Sequence, residues 1–211
     1  MVVYTSTKKL HDLKWIDNEI GLNTLTPLQI QKFLFFNEMF SKNKGLEYDL
    51  DRLKAYERGP VFSATYGDLL YDKSDIIKKI STLELQFNTV QIKTMLESLF
   101  LVTTHTDEEL SNLTHEFDLW KNKFRKGENN IDICESDITE EDTKKLQMIN
   151  SLLDYEEKEI IPMGDKRFVF NKGEVDNLNE ELIQTLEELS EIDELVNPVY
   201  ITLEDGELLV D

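Results

Sequence analysis

The sequence predicts a mainly α protein: a compact multi-helix domain with short extended segments, followed by a small acidic α+β appendage. Three observations carry that expectation. Apolar residues recur at helical spacing through most of residues 1–157. Helix-start signals recur too: Thr26-Pro27-Leu28-Gln29, Thr106-Asp107-Glu108-Glu109 and Thr139-Glu140-Glu141-Asp142 each set a hydroxyl three residues before a side chain able to close a capping box. Near Lys158 the character changes, and short β-prone runs appear among acidic residues. The boundary is therefore drawn between 1–157, a helical domain, and 158–211, an acidic appendage.

The elements follow in order. Leu10, Leu13, Ile16 and Ile20 mark a helix from about Ser6, which Gly21 ends. Thr26 and Pro27 open a second helix, in which Ile30, Phe33, Leu34, Phe36 and Phe40 make an apolar face wide enough to be central and buried. Leu53 to Val61 reads as one extended stretch ending in Gly59-Pro60. Short helices follow from Ser63, with Tyr66, Leu69 and Leu70, and from Ser74, with Ile76, Ile77 and Ile80. Stronger ones carry Met95 and Leu99, then Leu110 and Leu113, then Leu146 and Ile149. In the appendage, Ile160-Ile161 and Arg167 to Phe170 read as strands. Asp176 to Val196 reads as a helix with Leu178, Leu182, Leu186 and Leu189 on one side, and Asp205-Gly206 as a hairpin turn between Val199–Leu203 and Leu208–Val210. Packing of that helix on its own hairpin is favoured over an offer of its leucines to a partner. A fragment ending near Lys158 is expected to fold without the appendage.

Charge is distributed unevenly. The 211 residues hold 43 acidic and 23 basic side chains, a net charge of −20. Residues 1–126 carry 18 acidic and 17 basic, whereas residues 127–211 carry 25 and 6. Such a segment repels phosphates and attracts basic surfaces, so direct nucleic-acid binding is not expected; its plainest role is a solvated acidic face. No apolar run reaches the ~20 residues of a membrane span, and the first residues lack a secretory pattern. With Cys134 the only cysteine, no internal disulfide is possible, and a cytoplasmic location is expected.

The search for chemistry points away from catalysis. Neither GxGxxG nor GxxxxGK[ST] is present. His11, His105 and His115 are too scattered for a metal motif, and Asp49-Leu50-Asp51 lacks the spacing of a calcium loop. Cys134 lies in an acidic context that disfavours its thiolate, so it reads as a small core residue. No cofactor and no metal site are expected.

Three separated segments together carry a family resemblance. The first is Leu25-Thr26-Pro27-Leu28-Gln29-Ile30-Gln31-Lys32-Phe33-Leu34-Phe35-Phe36. The second is Leu53-Lys54-Ala55-Tyr56-Glu57-Arg58-Gly59-Pro60-Val61, followed by Tyr66. The third is Glu109-Leu110-Ser111-Asn112-Leu113-Thr114-His115-Glu116, then Leu119-Trp120. In this order they resemble the SocA-like, or Panacea, antitoxin domain over roughly Leu22 to Tyr155. The chain departs from the pattern at Tyr56-Glu57-Arg58, where an aromatic pair is usual, and before Trp120, where a proline often stands. Nothing after Lys158 has a counterpart. The resemblance implies a phage-associated or bacterial antitoxin that neutralises a toxin by direct binding, or an adaptor that delivers the toxin for degradation. Neither mode needs an active site.

The candidate partner-binding residues are Tyr56, Gly59, Pro60, Val61, Tyr66, Thr114, His115 and Trp120, with Glu187, Glu188, Glu191 and Glu194 in the appendage. Each has a plainer reading. Gly59-Pro60 can simply set a turn, His115 can be a hydrogen-bonded packing residue, and Trp120 suits a core edge as well as a hot spot. The expected partner is a cognate toxin or another basic protein, with no membrane involved and the oligomeric state open. Two other classes compete with the antitoxin reading: an inhibitor whose acidic half mimics nucleic acid, and an enzyme built on paired carboxylates, which would need a deep pocket of perturbed acids.

Overall fold

Thr26 begins the element around which the first part of the chain is built. Its hydroxyl accepts from the Gln29 amide at 3.1 Å, while the Gln29 side chain accepts from the Thr26 amide at 3.0 Å. This completed capping box, with Pro27 at the first position, starts helix α2 (Pro27–Asn43). Every residue from Gln29 to Ser41 of α2 is buried, because the helix packs against strand β2 and helices α6 and α8 (Gly59–Phe62, Asp107–His115 and Glu140–Leu152). The computed structural model describes residues 3–128, 131–204 and 206–210.

The remaining elements are α1 (Thr7–Glu19), β1 (Leu53–Tyr56), α3 (Ser63–Tyr71), α4 (Lys73–Ser81), α5 (Thr89–Thr103), α7 (Asp118–Lys121) and β3 (Ile131–Asp132). After α8 come β4 (Lys158–Met163), β5 (Lys166–Asn171), α9 (Glu180–Ser190), β6 (Val199–Glu204) and β7 (Glu207–Val210). The mainly α expectation is corrected by this order. The chain is 53% helix and 17% strand, with one three-stranded and one four-stranded sheet, a mixed α/β architecture. The strands are two to six residues long, too short for alternation to stand out. Leu53 to Val61 is a hairpin rather than one extended stretch: Tyr56 pairs with Gly59 across Glu57-Arg58, and β1 also pairs with the two-residue β3. Beside β3 lies another correction. Cys134 is exposed, not a core residue.

The chain divides into two compact units, Met1–Leu99 with Asp107–Leu152, and Phe100–Thr106 with Leu153–Asp211. In the second unit the sheet order is β4-β5-β6-β7, with β5 and β6 parallel across a connection that contains α9. Leu186 of α9 is fully buried with Phe168, Phe170, Val199 and Ile201, so the leucine side of this helix covers its own sheet. Helix α9 is shorter than the expected 176–196, since a single 3₁₀ turn occupies Val175–Asn177 and Asn179 caps the α-helix through the Leu182 amide. Asp205 lies outside the described residues; the strands flanking it pair antiparallel, Glu204 against Glu207.

The stretch 100–106 alters the expectation for truncation. Leu101 and Val102, 2% and 0% exposed, group with the second unit rather than the first. A fragment ending at Glu157 lacks most of the unit with which these residues group, and is therefore expected to melt below the full chain. A thermal melt of the fragment that matches the full chain would contradict this.

A buried ionic cluster ties α1 to α2 and to the loop before β1. Lys9 is 2% exposed and donates to the Asp49 carboxylate at 2.9 Å and to the Asp49 carbonyl at 2.7 Å. Its ammonium lies 3.7 Å from Glu38 and 3.9 Å from the centre of the Phe62 ring. Lys8 bridges Glu38 at 3.0 Å and Asp12 at 3.3 Å, and the second Glu38 oxygen accepts from the Asp49 amide at 2.8 Å. Burial pushes the Glu38 carboxyl up to about 7 and raises that of Asp12. Asp68 of α3 anchors the chain start in a similar way: its Oδ2 accepts from the Tyr4 amide, the Thr5 amide and the Thr5 hydroxyl, each at 2.7 Å.

Candidate partner-binding site

Lys32 sits in the middle of the otherwise apolar face of α2 and is 1% exposed. Its Nζ donates to the Arg58 carbonyl in the β1–β2 turn at 2.6 Å. The neighbouring carbonyls are held from other elements. His115, at the end of α6, donates through Nε2 to the Glu57 carbonyl at 3.0 Å, and Trp120 of α7 donates through Nε1 to the Tyr56 carbonyl at 2.8 Å. Three successive carbonyls of one turn thus accept from three separate helices. A turn at a surface ordinarily leaves such groups to water; here side chains fix the backbone from below.

Gly59 completes the clamp. At φ +99° it occupies backbone space that side-chain-bearing residues rarely adopt, and a Cβ there would lie 2.2 Å from Lys32 Nζ and 2.3 Å from Thr114 Oγ1. Thr114 is fully buried, and its hydroxyl donates back to the Leu110 and Ser111 carbonyls, each at 3.0 Å. Its oxygen is thereby held against the glycine. The His115 and Trp120 rings stack at 3.9 Å and 15°, and Phe124 extends the stack at 4.6 Å and 12°.

The acceptor at His115 is a carbonyl, so Nε2 carries the hydrogen. Burial holds the imidazole below its ordinary value, which favours the neutral form. Burial also brings the Lys32 amine down to about 7; the Arg58 charge adds to this and Asp107 opposes it.

Helix α7 is placed by a residue that sequence reasoning did not single out for this purpose. Asp142 on α8 is fully buried and accepts from the Asp118 amide at 2.6 Å and from the Leu119 amide at 3.1 Å, the start of α7. The same side chain closes its own capping box by accepting from the Thr139 amide at 3.0 Å. One carboxylate therefore caps two helices and sets where Trp120 points. Lys32 was also missed, although a lysine amid Ile30, Phe33 and Phe36 was a legible signal of a special role.

Of the candidate residues, the structure brings Tyr56, Gly59, Thr114, His115 and Trp120 together. Gly59, Pro60 and Thr114 are buried and Trp120 is 8% exposed, so they act through the turn they hold. The turn presents Glu57 and Arg58 to solvent, with the half-buried Tyr56 beside them. The Tyr56 ring lies 6.2 Å from Tyr66, which is exposed on α3, and Val61 is half-buried on β2. Burial raises the Tyr56 hydroxyl above its ordinary value, so it remains a protonated donor.

Glu187, Glu188, Glu191 and Glu194 are exposed in the second unit. Glu187 and Glu188 fall in the last turn of α9 and Glu191 is its C-cap, a helix end where negative charge costs about 0.3–1 kcal/mol per group. Their placement does not serve the helix. Among the described residues no group of three or more His, Cys, Asp or Glu could hold a metal ion, and no helix is long and apolar enough to cross a membrane. Comparison with protein-family models, curated proteins and solved structures returns no match.

Proposed function

We propose that this protein neutralises a partner protein by binding it, in the manner of a SocA-like antitoxin, through the surface that the clamped turn presents. The observation that carries the reading is convergence. The three sequence segments that resemble the antitoxin domain supply Lys32, Gly59 and the Thr114-His115-Trp120 set, and all of them meet at one turn. A turn held at three successive carbonyls is pre-organised, so the backbone of Tyr56, Glu57 and Arg58 loses little freedom on binding. Tyrosine and arginine are the side chains that most often dominate interface energetics. Blocking a partner in this way requires no catalytic step.

A second reading is favoured by one observation, the acidic end of α9. Charges placed against the helix's own dipole fit an electrostatic role toward a basic partner, including mimicry of nucleic acid. Co-expression with the product of a neighbouring reading frame separates the two. The antitoxin reading expects a neighbour that arrests growth alone, is relieved by this protein and co-purifies with it. A neighbour that is harmless, or that the protein neither binds nor relieves, contradicts it.

A further inference from the structure

Two lysines of the first unit are equally buried and oppositely surrounded. Lys9, 2% exposed, is met by the carboxylates of Asp49 and Glu38. Lys32, 1% exposed, has the Arg58 carbonyl as its only hydrogen-bond acceptor among the described residues, and no carboxylate among them stands within ion-pair distance of its Nζ. An ammonium has three hydrogens to place and a charge to compensate, and one carbonyl meets neither need. The neutral amine is the form that fits the closed turn.

The surrounding elements offer no counter-charge that is not already in use. Arg58 in the turn bears on Lys32 with the same sign, His115 stands at the end of α6, and Asp107, at the start of α6, acts from beyond ion-pair distance. Strand β2 carries no charged side chain. From α8 the buried carboxylate is Asp142, which is committed to the Asp118, Leu119 and Thr139 amides. Within α2 the one carboxylate is Glu38, which Lys8 and Lys9 occupy.

We propose that the clamped turn is a proton-sensitive latch, closed over neutral Lys32 and loosened when that amine gains a proton and needs water. The backbone at Gly59 lies so close that even a methyl there would come within 2.2 Å of Nζ, so water reaches the amine only if the turn lifts. Lifting it draws the Tyr56 and Glu57 carbonyls away from Trp120 and His115. The amine titrates at about 7 in the closed turn, against 10.5 when hydrated. The open turn therefore binds more protons between those values. Opening becomes easier as pH falls from 10.5 to 7 and levels off below 7. The latch is a property of the turn itself; its use in releasing a partner rests on the function proposed above.

The test is hydrogen exchange at the Trp120 indole, whose Nε1 hydrogen the Tyr56 carbonyl holds, followed by NMR on the ¹⁵N-labelled full chain from pH 8.5 to pH 7. This range lies above the titration of His115, which burial holds below its ordinary value. After correction for the exchange rate of a free indole, protection at Trp120 is expected to fall about tenfold across the range. Protection at Trp15, 6% exposed and stacked on Phe33, should stay constant. Lys32→Met should flatten the Trp120 profile; should that variant not fold, the two wild-type indoles decide alone. The proposal is overturned if Trp120 protection is constant in the wild type, if Trp15 falls in step with it, or if folded Lys32→Met keeps the wild-type slope. No partner enters the experiment, so failure of the latch and failure of the proposed function are read separately.

Discussion

Gly59→Ala is expected to lower stability by about 3 kcal/mol or more, a fall of roughly 6–12 °C in Tm for a chain of this size. Two costs add. The backbone at φ +99° is strained for alanine, and the new methyl would meet Lys32 Nζ at 2.2 Å and Thr114 Oγ1 at 2.3 Å. Neither neighbour yields easily, because Lys32 is 1% exposed and bonded to the Arg58 carbonyl, and Thr114 is fully buried on a helix. Relief therefore comes from moving the turn, which breaks the grips of His115 and Trp120. Tryptophan fluorescence should report that loosening alongside the melt. Gly67→Ala is the contrast: it sits inside α3 with nothing within 4 Å of the added methyl, and should be neutral or stabilising by up to about 1 kcal/mol. Equal melting of both variants and wild type would show that the clamp is not tight.

Lys9→Met is expected to cost about 3 kcal/mol at neutral pH, since it takes the cation from Asp49 and leaves the buried Glu38 with Lys8 alone. Lys9 is the cation common to Asp49 and Glu38, and methionine fills its volume but offers no charge. Adding Glu38→Gln should recover part of the loss, because it removes one of the stranded charges, and the double-mutant cycle measures the coupling. The dependence on pH has a definite sign. Glu38 titrates near 7 in the fold against about 4.5 when free, so the folded state binds the extra proton between those values. Its contribution is complete below pH 4.5 and is lost as pH rises through 7. Lys9→Met should accordingly be less damaging at pH 5, where Glu38 is already neutral, than at pH 8. Urea melts at the two pH values check this, and a larger loss at pH 5 would contradict it.

What the sequence made legible was local. The Thr26–Gln29 and Thr139–Asp142 boxes are spacings of three residues within one segment, and both close in the structure. Thr114, His115 and Trp120 stood out as a set, but their common target did not, because the Tyr56 and Glu57 carbonyls are backbone groups brought to them by tertiary folding. The hairpin was hidden for a physical reason as well. Glu57-Arg58 is not a pair that marks a two-residue turn, and the glycine at positive φ falls one position later, inside β2. The same limit explains Lys9, Asp12 and Glu38: charged residues on helices read as solvent-facing, and only the packing of α1 against α2 shows them buried as a mutually compensating cluster. Strand β3 is two residues paired far along the chain, beneath the reach of any periodicity.

The most direct measurement is the binding kinetics of the cognate partner with two variants, at low and at physiological salt. Tyr66→Ala should leave melting unchanged and speed dissociation by about thirtyfold, the loss typical of an aromatic hot spot. Changing Glu187, Glu188, Glu191 and Glu194 together to Gln should slow association and flatten its salt dependence, with dissociation nearly unchanged. If instead the glutamine variant abolishes binding while Tyr66→Ala binds as the wild type does, recognition lies in the acidic unit and not at the clamped turn.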